Sequence, residues 1–111
     1  MSADPTTTAA LGLEPSYSAK EASAMLGRSY SWLDQRLRAG QFVLPGGATV
    51  EPLRTPGGYR RFTLQNLRDI IVASNRQGWF SVEDTRFALA AVITASYRET
   101  GKFQGSKIGA R

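Results

Sequence analysis

The side chains best equipped for chemistry in this sequence are its arginines, and the densest group lies in the run Arg54-Thr55-Pro56-Gly57-Gly58-Tyr59-Arg60-Arg61-Phe62. A guanidinium offers a planar fork of donors that matches phosphate oxygens, so arginines beside a glycine turn suit a polyanionic backbone. On a strand, Arg60 and Arg61 point to opposite faces, Tyr59 sharing a face with Arg61 and Phe62 with Arg60. One arginine can then reach a nucleic acid while the other lies across the sheet or pairs with an acid. Tyr59, Arg60 and Arg61 are together expected to mark a contact, with Arg54 ahead of the turn. Gly57 and Gly58 let the backbone approach closely.

A second group precedes it. Ser31, Asp34, Gln35 and Arg38 recur on one face of a short helical stretch, opposite Leu33 and Leu37. Glutamine can pair with adenine and arginine with guanine, while Asp34 can either accept from a cytosine amino group or hold Arg38 one turn away. Ser29 and Tyr30 stand where helix-start amides favour an anion. Arg28 and Arg36 either clamp phosphates or are plain surface charges, and Trp32 either stacks on a sugar or, as expected first, fills the space between the helices. The competing reading of the whole face is an ordinary solvated helix surface.

The chain has no Cys and no His, which removes the usual metal ligands, thiol chemistry and the common general base near neutral pH. No paired acids stand at a useful spacing either. We therefore expect no catalytic residue, no metal site, no cofactor and no enzyme activity. The 111 residues carry 14 bases against 9 acids, a net charge of +5, and all 14 bases lie beyond residue 15. That balance favours a polyanionic partner. No run of about 18 apolar residues occurs, so no membrane span is expected. The absence of cysteine fits a reducing cytoplasm.

The elements that must position these residues follow from caps and periodicity. Residues 1–15 are rich in Thr, Ala, Ser and Pro without periodicity, which predicts a disordered leader. Ser18-Ala19-Lys20-Glu21 has the form of a capping box, with Ala22, Met25 and Leu26 on one face and a stop at Gly27. Ser29 caps a second helix ending at Gly40. Short β-prone runs at Phe42–Leu44 and Val50–Leu53, broken by Pro-Gly-Gly turns, lead into the arginine run and make a candidate wing. Thr63 caps a third helix, with Leu64, Leu67 and Ile71 inward and Ile70 and Val72 widening its apolar face, stopped by Gly78. Ser81 to Asp84 opens a fourth helix, expected over about residues 82–97, with Val82, Leu89, Val92 and Ile93 as one stripe and Phe87, Ala88, Ala91 and Ala95 as another. A helix apolar on two sides needs two partners. Residues 100–111 hold Lys102, Lys107 and Arg111 among Gly and Ser, the pattern of a flexible basic tail.

From Tyr17 to about Thr85 the chain resembles the MerR superfamily of DNA-binding proteins, within it the short excisionase-like and BldC-like members. The residues that carry the likeness are the stretch from Tyr17 to Gly40, the wing sequence Arg54 to Phe62, and the turn from Gly78 to Asp84 with Phe80-Ser81-Val82. The resemblance implies a winged helix-turn-helix over residues 16–99: mainly α, about four helices, with a small antiparallel β wing. It places the second helix in a major groove and the wing on flanking phosphates. The expected partner is double-stranded DNA, bound by a homodimer or by cooperative copies in the cytoplasm at the nucleoid. The expected output is transcriptional regulation. The same parts would serve an excisionase-like DNA-bending factor acting with a recombinase. A different class of reading makes the chain an adaptor whose fourth helix recruits a protein partner.

Overall fold

Side-chain caps decide where the helices begin. In the computed structural model, which describes the backbone of residues 15–109 and the side chains of residues 15–98, Ser18 Oγ accepts the Glu21 amide at 3.1 Å while Glu21 Oε1 accepts the Ser18 amide at 2.8 Å. This reciprocal box opens α1 (Ala19–Leu26). Ser29 Oγ accepts the Trp32 amide to open α2 (Tyr30–Arg38). Thr63 and Asn66 cap each other's backbone at the start of α3 (Leu64–Arg76), and Ser81 and Asp84 do the same before α4 (Val82–Gly109). Apart from Pro15, the expected leader lies outside the described residues, as do the side chains of Lys102, Lys107 and Arg111.

Three short strands form one open antiparallel sheet in the order β1-β3-β2. β2 (Leu53–Arg54) and β3 (Arg60–Thr63) make the wing hairpin, Leu53 opposite Arg61 and Arg54 opposite Arg60. β1 (Ser16–Ser18) pairs the other side of β3 with Tyr17 opposite Phe62, a strand too short to leave a periodic signal in the sequence. Of the expected strands at Phe42–Leu44 and Val50–Leu53, Leu53 enters β2 and the rest shrinks to one bridge between Val43 and Thr49, because the Pro45-Gly46-Gly47 turn brings the chain back after few residues. Among the described residues the fold is thus mainly helical, four helices with a small three-stranded antiparallel sheet, the class expected from the sequence.

Leu26, Leu33, Phe42, Phe62, Leu67, Ile70, Ile71 and Val92 are fully buried and join all four helices to β3. Two expectations about helix faces need correction. Val72 is exposed rather than widening the buried face of α3. The core side of α4 is Ala88, Val92 and Ala95, drawn from both expected stripes, because small side chains at i and i+7 let the helix approach its neighbours closely. Val82, Leu89 and Ile93 stay exposed on one flank and Phe87 on the other. The backbone of α4 also remains helical to Gly109, beyond the end expected near Tyr97 and through most of the presumed flexible tail. No proline interrupts residues 98–109, and a helix-interior glycine such as Gly101 costs only about 1 kcal/mol against alanine.

The turn between α1 and α2 rests on Gly27, whose φ of 72° lies in the left-handed region. A Cβ there would also stand 3.1 Å from two ring carbons of Phe87. Gly27→Ala should therefore lower stability by about 1–2 kcal/mol, read as a lower urea midpoint with unchanged slope; an unchanged midpoint would show that neither the backbone nor Phe87 constrains this position.

Candidate nucleic-acid interface

A carboxylate joins the second helix to the wing. Asp34, on α2, accepts from Arg60 Nη1 at 2.7 Å through Oδ1 and from Arg38 Nε at 2.8 Å through Oδ2. Arg60 comes from β3, on the same strand face as the buried Phe62, and its side chain is only 13% exposed. Arg38 is one helical turn beyond Asp34, with a side chain 72% exposed. The hydrogen bond from Arg60, then that from Arg38, holds the Asp34 carboxyl below its ordinary range. With both oxygens engaged, Asp34 is a strut between the helix and the β2–β3 hairpin and holds Arg38 one turn away.

Between α2 and the wing lies an open groove of about 1100 Å³. Tyr30, Asp34 and Arg38 line it from the helix, and Arg54, Gly58, Tyr59, Arg60 and Arg61 from the sheet, so eight expected site residues from two distant segments share one concave surface. Leu37, Glu51 and Pro52 line it too, the last two from a connection whose sequence carried no chemical signal. The wing tip is closed by its own backbone: the Thr55 amide donates to the Tyr59 carbonyl and the Gly58 amide to the Thr55 carbonyl, each at 2.8 Å. Gly58, at φ 89°, makes that turn possible. Arg54 donates across the hairpin to the Gly58 carbonyl at 3.1 Å and remains exposed. Tyr59 is 75% exposed beside Gly57.

Other expected residues lie elsewhere. Ser31 and Gln35 are on the exposed surface of α2 outside the groove lining, Gln35 Nε2 donating to Ser31 Oγ at 3.4 Å. Ser29 does not line the groove, and its hydroxyl is occupied by the Trp32 amide. Arg28 does not line the groove either. Its guanidinium lies over Phe80 at 4.6 Å, donates to the Trp79 carbonyl at 3.0 Å and pairs with Asp84 at 3.1 Å, so its charge is committed inside the chain. Arg61 touches the groove, yet it donates to the Ser16 hydroxyl and carbonyl, which binds β1 to β3. Arg60 is likewise a half-buried tie, committed to Asp34.

Arg36 follows the same pattern, stacked on Trp79 at 3.9 Å and on Trp32 at 5.1 Å while donating to Gln41. Trp32 packs against Phe42, Trp79 and Phe80, the space-filling role expected of it. The exposed cations on the groove side are thus Arg38 and Arg54. Among the described residues, no group of three or more Asp, Glu, His or Cys side chains gathers to hold a metal ion, and no helix is long and apolar enough to cross a membrane.

A family model described as Domain of unknown function (DUF7229) matches residues 7–95. No curated protein and no solved structure matches the chain.

The ties through Asp34 and Asp84 carry a pH signature. Asp84 is also held below its ordinary value of 3.8, first by the Ser81 amide and then by Arg28. A carboxylate whose folded value is depressed adds stability that is complete above the unfolded value and lost as pH falls through the folded one. The urea midpoint should therefore drop as pH is lowered through and below the ordinary carboxylate value of 3.8, and Asp34→Asn combined with Asp84→Asn should lose less of its own midpoint over the same range. Equal losses in parent and variant would show that these ties add nothing.

Proposed function

The chain belongs to the DUF7229 domain family, and from that premise, which brings no activity with it, we propose that it binds double-stranded DNA. In this reading α2 enters a major groove and the β2–β3 hairpin rests on flanking phosphates. The observation that carries it is the placement of an exposed helix face bearing Gln35 and Arg38 beside a hairpin bearing Arg54 and Tyr59, joined by the Asp34 strut. The net charge of +5 supports the same partner. So does the resemblance of the wing sequence to MerR-type proteins.

Gln35 and Arg38 read base edges; Arg54, Tyr30 and the wing backbone hold phosphate. The chain acts as a transcriptional regulator in the cytoplasm, at the nucleoid, without catalysis or cofactor. An excisionase-like accessory role would use the same interface and differ only in its recombinase partner. The exposed stripe Val82, Leu89, Ile93 and Tyr97 on α4 suits a second copy of the chain, since these positions share one helix face away from the core. An adaptor role would use that stripe for a different protein.

Fluorescence anisotropy with labelled duplex across a salt series tests the reading. Binding should weaken steeply with salt, and Arg38→Ala plus Arg54→Ala should reduce affinity at least about tenfold and flatten the log–log salt slope by about 2. Gln35→Ala should instead relax discrimination between sequences, by about 1–3 kcal/mol at one base pair. No binding by the parent protein at low salt would refute the assignment. Light scattering checks the stripe: a dimer mass is expected, with Ile93→Glu giving monomer, and a monomer mass for the parent both free and on DNA would remove the dimer.

A further inference from the structure

Two aromatic rings in the groove have no task that a duplex gives them. Tyr30 lines it from α2 and Tyr59 from the hairpin, 50% and 75% exposed. Neither ring belongs to the core, and neither phenol has a hydrogen-bond partner among the described residues. Duplex binding engages Tyr30 only through its phenol and leaves both ring faces idle.

Backbone geometry, not packing, holds these rings in place. Tyr30 is the first residue of α2, directly after the Ser29 cap. The Tyr59 amide donates to Thr55 Oγ1 at 3.1 Å, and its carbonyl accepts from the Thr55 amide at 2.8 Å. Its ring lies against Gly57, where a Cβ would stand 3.4 Å from two ring carbons. Around the two rings, Arg38, Arg54, Arg60 and Arg61 line the groove against Asp34 and Glu51, an excess of two positive charges. Fixed aromatic rings in a cationic groove are the combination that holds an unpaired strand, because cations follow the phosphates while bases stack on the rings. A duplex offers no such contact, since each base face is already covered by its neighbour.

We infer that this groove also binds single-stranded nucleic acid, one base stacked on Tyr30, another on Tyr59, and the phosphates facing Arg38 and Arg54. The occupant is an unpaired strand, so this function stands apart from duplex recognition by α2. Every base has a ring face, and binding therefore depends little on base sequence.

Fluorescence anisotropy of the full chain with labelled oligothymidine and oligouridine of about 12 nucleotides tests the inference. Saturable binding of at least one is expected. Tyr30→Ala with Tyr59→Ala should weaken it at least about tenfold at an unchanged log–log salt slope, since stacking removes no charge, whereas Tyr30→Phe with Tyr59→Phe should stay within about twofold of the parent. Both side chains are exposed, so the variants should keep the parent circular dichroism. Absence of binding to both oligomers would overturn the inference. So would an unchanged affinity in the alanine pair, or an equal loss in the phenylalanine pair, which would assign the effect to the phenols. A duplex titrated alongside keeps the two functions apart: failure of the duplex alone removes the duplex assignment, and failure of the oligomers alone removes this one.

Discussion

The separation of helix and wing depends on a single carboxylate. α2 and β3 are far apart in sequence, and the short β2–β3 hairpin has few core residues of its own, so its angle to the helix needs a lateral tie. Asp34 supplies that tie by accepting from Arg60 on one oxygen and Arg38 on the other. Removing one partner from such a network leaves the remaining charge poorly solvated, which is why these groups act together. The negative charge at the centre of a cationic face is thus structural in origin. It orients Arg38 at the groove edge and keeps Arg60 beneath it.

A similar logic governs the other arginines, and it changes how the net charge is to be understood. Arg28 and Arg36 both lie against an aromatic group formed by Trp32, Phe42, Trp79 and Phe80, where cation–π attraction, Asp84 and Gln41 hold them. They fasten α2 to the turn between α3 and α4. Arg61 fastens β1 to β3. Four of the arginines nearest the proposed interface therefore have intramolecular duties. The field on that face is more local than composition suggests, concentrated at Arg38 and Arg54.

What the sequence revealed, and what it withheld, divides by range. Each helix start was legible because a cap involves residues three apart: Ser18 with Glu21, Ser29 with the Trp32 amide, Ser81 with Asp84. The existence of the wing was legible from its glycine turn and arginines. The partners of Arg28 and Arg61 were not, since they lie 56 and 45 residues away and any acid or carbonyl was an equal candidate beforehand. The packed face of α4 was missed because Ala88 and Ala95 gave no strong hydrophobic signal, while larger side chains on both flanks did. For the candidate interface, residue types pointed to two segments that meet at one groove, which eight of the expected residues line. Which cations are exposed there required the folded arrangement.

The aromatic group has an optical consequence. Trp32 and Trp79 are the only tryptophans in the chain, and they meet edge to face with centroids 6.4 Å apart and Arg36 over both. All indole emission therefore originates at one seam, where α2 joins the α3–α4 turn. Loosening of the wing, whose aromatic at the tip is Tyr59, leaves that emission nearly untouched, whereas opening of the seam alters both chromophores together. Intrinsic fluorescence of this protein is a gauge of how firmly one helix is seated, with little sensitivity to the hairpin beside it.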